Sequence, residues 1–135
     1  MIFVDTGAFV ARYMRHDAEH RRAKRAWAEI ERTGSRCFTS SHVLDETFTL
    51  LGRRASYAFA ADRARALLGS KALTVLRPEA DDEVRAVELF AKFADQRVSF
   101  TDCVSFVLMR RNRLERAFTF DRHFAAAGFE VMPAT

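Results

Sequence analysis

Short apolar runs and amphipathic stretches alternate along the chain. "MIFV" reads as a strand, followed by a short helix from about Gly7 to Tyr13. In "DAEHRRAKRAWAEIER" the apolar positions Ala23, Ala26, Trp27 and Ile30 recur at helical spacing, and Gly34 ends the helix. "RCFT" is a short strand. "SSHVLDETFTLLGRR" opens on serine cap candidates and sets Val43, Leu44, Thr47, Phe48 and Leu51 on one face. "YAFAADRARALLG" is a further helix stopped by Gly69, and "ALTVLR" a strand. Pro78 then opens "PEADDEVRAVELFAKFA", whose first turn carries acids, as the helix dipole favours. "SFTDCVSFVLMRRNR" is apolar almost all round from Cys103 to Met109, which predicts a central buried helix. "AFTF" is a strand, "RHFAAAG" a short helix and "FEVM" a last strand. Strands separated by helices imply parallel pairing with helices on both faces. The expectation is one domain over residues 1–135, a three-layer α/β/α fold around a short, mainly parallel sheet of four or five strands.

Composition narrows the class. A chain of 135 residues, 49% hydrophobic with two prolines and five glycines, is globular and long enough for a single core. No apolar run approaches the ~20 residues that span a bilayer. The N-terminus lacks a basic segment ahead of its apolar part, so it does not read as a signal peptide, and a cytoplasmic location is expected. Cys37 and Cys103 then read as buried reduced thiols. The net charge is +4, and nearly all the positive charge is arginine, with lysine only at Lys24, Lys71 and Lys92. Arginine pairs bidentately with phosphate, so clusters at Arg21 to Arg25, Arg53 and Arg54, and Arg110 to Arg116 fit either solvated helix faces or a polyanionic partner.

The candidate chemistry lies in the acids. Asp5 closes "IFV" and Asp121 closes "AFTF". Aspartate is a poor strand former and a poor core residue, and ligands of parallel α/β sheets bind at the carboxyl ends of strands. If the two strands are neighbours, the two carboxylates converge, and a divalent cation is the simple way to offset their repulsion. Asp102 begins the most apolar helix. It fits a capping box behind Ser99 as well as it fits the acidic site. Glu46 falls beside Leu50 on the flank of its helix's apolar face, where a solvated acid is the alternative, and Asp45 points farther away. The histidines His16, His20, His42 and His123 show no ligand spacing beside a soft donor and read as surface residues, so zinc is not expected.

Four segments together, "FVDTGAF", "TSSHVLDETFTLL", "VSFTDCVSFVLM" and "TFDRHF", make the chain resemble a PIN-domain ribonuclease along essentially its whole length. In size and layout it is most similar to the VapC-type toxins of prokaryotic toxin–antitoxin pairs. The resemblance implies an acidic site of Asp5, Glu46, Asp102 and Asp121, assisted by Thr6 and Thr119. Asp5, Asp102 and Asp121 would be the core ligands of one or two Mg²⁺ or Mn²⁺ ions. Glu46 would ligate directly or through water, or orient the nucleophile. It further implies an RNA substrate, a VapB-type antitoxin and a homodimer. Cys103 stands where such proteins commonly carry a small residue, a departure that touches packing.

Other classes fit less well. A haloacid-dehalogenase-like phosphatase needs a second aspartate two positions after the first, where this chain has Gly7. A receiver domain wants a lysine late in the chain, and Lys92 is the last. The non-enzymatic alternative is a PIN module that binds RNA or protein without cleaving. Four intact acids argue against it.

Overall fold

A computed structural model describes residues 1–134. Five strands form one parallel sheet in the order β3-β2-β1-β4-β5. They are β1 (Ile2–Val4), β2 (Cys37–Ser40), β3 (Leu73–Leu76), β4 (Arg116–Phe118) and β5 (Glu130–Met132). Seven α-helices connect them: α1 (Thr6–Tyr13), α2 (His20–Thr33), α3 (Ser41–Arg54), α4 (Tyr57–Leu68), α5 (Ala80–Lys92), α6 (Phe100–Arg111) and α7 (His123–Ala126). A single 3₁₀ turn at Ala94–Gln96, which the periodicity did not indicate, joins α5 to α6.

The chain steps from β1 outward to β3, then crosses back to β4 on the other side of β1. Right-handed crossovers in opposite directions put α1 to α4 on one face and α5 to α7 on the other. Packing agrees. Trp27 of α2 stacks against Phe9 of α1 and Phe118 of β4, with ring centroids 5.7 and 5.1 Å apart. Phe106 of α6 meets Phe124 of α7 edge-on at 5.0 Å. The buried face of α2 is Ala23, Ala26, Trp27 and Ile30, as its spacing predicts. Helix α6 buries every residue from Asp102 to Met109, so the layers close on it.

Local chemistry sets the helix ends. Ser40, Ser56 and Ser99 each cap a helix by accepting a backbone N–H three residues on. Gly34 takes a left-handed φ of 66° and closes α2. Two expectations shift. Pro78 does not open α5, which starts at Ala80 behind a capping box between Glu79 and Asp82. Strand β4 ends at Phe118, so Asp121 lies three residues beyond it rather than directly after the strand.

Candidate active site

The order of the sheet makes β1 and β4 neighbours on either side of the point where the chain reverses direction, which is where open α/β sheets bind ligands. Phe3 and Val4 pair with Ala117 and Phe118, and the Asp5 N–H continues the ladder by donating to the Phe118 carbonyl at 3.0 Å. The two strand-end acids are therefore brought to one edge by the pairing itself. Thr119 links them: its hydroxyl donates to Asp5 Oδ2 at 2.7 Å and accepts the Asp121 N–H at 3.0 Å. One hydroxyl orients both residues.

Asp102 and Glu46 arrive from helices. Asp102 is the third residue of α6, and its N–H is held by the Ser99 hydroxyl at 3.1 Å. This is only half of a capping box. The reciprocal bond from the Asp102 carboxylate to the Ser99 N–H does not form, and the carboxylate lines the same cavity as Asp5 and Asp121. Glu46 is half-buried on α3 and lines that cavity too, while Asp45 beside it is exposed. The cavity, of about 530 Å³, thus holds all four expected acids together with Thr6. Thr119 sits behind the acids rather than in the cavity wall. A second cavity of about 510 Å³ lies at the opposite strand ends among Ile30, Cys37, Leu67 and Leu73. It has Glu31 as its single acid and no part in this site.

The electrostatics are those of an uncompensated acidic cluster. Burial pushes the Asp102 carboxyl up to about 9, reinforced by the Asp5 charge, by a hydrogen bond shared with Asp121 and by the charges of Asp121 and Glu46. Burial likewise raises Asp5 to about 6 against the opposing hydrogen bonds of Thr119 and the Thr6 backbone. Among the described residues no arginine or lysine forms an ion pair with any of the four acids. Only His123 does. The Thr6 hydroxyl is buried without a hydrogen-bond partner.

His123 corrects the sequence reading. It is not a free surface residue. Its Nδ1 lies 2.8 Å from Asp121 Oδ1 and 4.0 Å from Asp102 Oδ2, and the donor atoms of these three residues fall within 4.8 Å of one another. That grouping includes neither Asp5 nor Glu46. A local signal was present: in "TFDRHF" the Asp121 carboxylate accepts the His123 N–H at 2.8 Å, the aspartate turn that two-residue spacing allows. His20 is also half-buried, with Nδ1 2.7 Å from the Ala11 carbonyl. His16 is exposed, as read.

The arginine clusters divide. Arg110 donates to the Ala127 carbonyl at 2.6 Å and stacks over Phe129, and Arg111 pairs with Asp82 at 2.5 Å. These belong to the scaffold. Arg54 and Arg97 line the acidic cavity instead, with Arg54 3.8 Å from Asp17. Arg97 holds a left-handed φ of 56°, a conformation that costs a non-glycine residue about 1 kcal/mol. Cys37 and Cys103 are buried free thiols, both pushed up by burial, and neither lines the cavity.

A parallel five-stranded sheet with acids gathered at its reversal point is the arrangement the resemblance to PIN domains implies. A family model of the PIN domain matches residues 2–130, and the chain belongs to that family. It is 42% identical over 134 residues to the 23S rRNA-specific endonuclease VapC20 of Mycobacterium tuberculosis, covering 98% of this chain and 99% of that protein. A VapC ribonuclease of Archaeoglobus fulgidus is 28% identical over 125 residues, or 90% of this chain and 78% of the relative. The crystal structure of M. tuberculosis VapC20, described as a sarcin–ricin loop cleaving toxin, superposes with a TM-score of 0.86 at 39% identity over 96% of each chain. The DNA-bound VapBC complex of Salmonella typhimurium shares the fold at a TM-score of 0.64 and 15% identity over 97% of each chain.

Proposed function

We propose that this chain, acting as one domain over residues 1–135, is a divalent-metal-dependent endoribonuclease, the toxin of a toxin–antitoxin pair. The observation that carries the reading is the convergence of Asp5, Glu46, Asp102 and Asp121 on one cavity, where among the described residues no arginine or lysine forms an ion pair with them. Four carboxylates with an unpartnered buried hydroxyl beside them fit a hard divalent ion, Mg²⁺ or Mn²⁺, in one or two positions. Bound there, such an ion supplies Lewis acidity to a phosphodiester and lowers the pKa of water.

The chain's own groups do the rest. Asp5, Asp102 and Asp121 hold the cation, and Glu46 ligates or orients the attacking water. Thr119 fixes the Asp5 carboxylate and the Asp121 backbone before anything binds, which limits the reorganisation needed as charge develops. Thr6 offers its free hydroxyl to water or to a phosphate oxygen. Arg54 and Arg97 receive the phosphates that flank the cut, an attraction that weakens with salt.

The substrate class follows from likeness. Near-complete coverage by a 23S rRNA-specific endonuclease at 42% identity makes ribosomal RNA the first substrate to test. A VapB-type antitoxin, a homodimer and a cytoplasmic location belong to the same reading; no helix among the described residues is long and apolar enough to cross a membrane. The test is incubation of purified protein with ribosomes and with total RNA, with Mg²⁺, with Mn²⁺ and with chelator. Discrete fragments that appear with metal and vanish with chelator support the proposal. Intact RNA in every arm, from protein shown to bind metal, returns the chain to a non-cleaving PIN module.

A further inference from the structure

His123 stands in the acidic cavity, and neither the fold nor the four acids require it. Its ring is clamped from behind. The Nε2 atom lies 3.0 Å from the Gln96 carbonyl, on the 3₁₀ turn that joins α5 to α6. A carbonyl can only accept, so the proton sits on Nε2. In the neutral ring the Nδ1 lone pair then faces Asp121 Oδ1 at 2.8 Å and Asp102 Oδ2 at 4.0 Å. Nδ1 is buried and has no properly directed hydrogen bond. Acceptors packed this closely repel unless a proton or a metal cation lies among them.

The spacings suit one. Around an octahedral ion with bonds of about 2.1 Å, neighbouring donors stand about 3 Å apart and opposed donors about 4.2 Å apart. Metal-binding histidines commonly donate the other ring N–H to a backbone carbonyl, which fixes tautomer and orientation, as Gln96 does here. Independently, Thr6, 5% exposed and lining the same cavity, leaves its hydroxyl unpartnered.

We propose that His123 Nδ1 is a direct ligand of the catalytic cation alongside Asp102 and Asp121, giving the site a mixed nitrogen and oxygen donor set that selects Mn²⁺ over Mg²⁺. The inference rests on the metal-dependent reading above and deepens it. Imidazole favours first-row transition ions, whereas Mg²⁺ gains little from nitrogen. Asp5, outside the tight grouping and oriented by Thr119, completes the carboxylate set of that cation or ligates a second ion.

The experiment is Mn²⁺ binding by calorimetry, with pulsed electron paramagnetic resonance on the Mn²⁺-loaded protein, for wild type, His123→Gln and His123→Asn. The wild type should bind Mn²⁺ about tenfold or more tighter than Mg²⁺ and show nitrogen modulation that changes when histidine is labelled with ¹⁵N. His123→Gln should lose that modulation and weaken Mn²⁺ binding by about tenfold or more, with Mg²⁺ binding changed far less. Should a variant misfold, the isotope test on wild type still decides. Mn²⁺ bound by wild type with no histidine nitrogen coupling overturns the ligand assignment and leaves the acidic metal site standing. Absence of both Mn²⁺ and Mg²⁺ binding by folded wild type overturns both.

Discussion

Helices α5 and α6 each carry a buried aspartate at the third helical position, Asp82 and Asp102, and the two have opposite surroundings. Asp82 accepts the Glu79 N–H at 2.9 Å and pairs with Arg111, so its charge is answered twice. Asp102 receives neither kind of partner. Its backbone is capped by Ser99, while its carboxylate faces Asp5, Asp121 and Glu46 and is pushed up to about 9. The same residue type at the same helical position has its charge answered where the fold supplies partners and left open, as a ligand would need, where the fold withholds them. The lesson is that position on a helix does not distinguish a cap from a ligand, and the partners do.

The largest effect expected from this contrast is on catalysis. Asp102→Asn should lower RNA cleavage by about a hundredfold or more, at the upper end of what loss of metal-site groups costs. Melting of the metal-free protein should stay level or rise. Asp82→Asn should do the reverse: cleavage per folded molecule unchanged, stability lower by roughly 1 kcal/mol through loss of a half-exposed ion pair, the amide oxygen still able to accept the Glu79 N–H. Matched losses of activity in the two variants would erase the distinction. The same logic within α3 sets Glu46→Gln against Asp45→Asn. The first should cost about tenfold or more in cleavage and the second nothing measurable, since Asp45 faces solvent.

Acid titration sharpens the comparison further. The folded-state pKa values of Asp102 and Asp5, about 9 and about 6, lie above the unfolded value. The native state therefore binds more protons than the unfolded chain between about pH 4 and 9, and stability falls as pH rises through that window. Without metal, thermal melting should occur at lower temperature at pH 8 than at pH 6. Asp102→Asn should flatten that slope, and Asp82→Asn should leave it. An unaltered slope in Asp102→Asn would show that other groups set it. The smallest effect is expected of Arg97→Ala, which removes one phosphate contact: the salt dependence of RNA binding should become shallower by about 0.7 in log–log slope.

The elements of the fold were legible in the sequence because their signals are local. Trp27 and its neighbours at helical spacing, the serine caps, and the wholly apolar α6 all declare themselves within one or two turns. The adjacency of β1 and β4 is not local. It joins residues more than 110 positions apart, and the sequence could state it only as a condition. Asp5, Asp102 and Asp121 stood out because strand ends and helix starts are places where aspartate needs a reason, while Glu46 rested on helix phase and on the resemblance. His123 was missed because its role depends on Gln96 and Asp102, neither of them near it in the chain. The scaffold contacts of the exposed α6 arginines were hidden for a like reason. Their partners, Asp82 and the Ala127 carbonyl, are supplied by tertiary packing.

The hydrogen bond from Thr119 to Asp5 spans 114 positions. During synthesis that distance becomes a time. Asp5 leaves the ribosome more than a hundred residues before Thr119, and β1 waits without one of its two neighbours until β4 emerges. Until then Asp5 has neither Thr119 to orient it nor Asp121 beside it, and Asp102 has no completed wall to face. An acidic site wired in this way cannot assemble on a nascent chain that stops short of β4. Its acids converge only once Thr119 and Asp121 have been made.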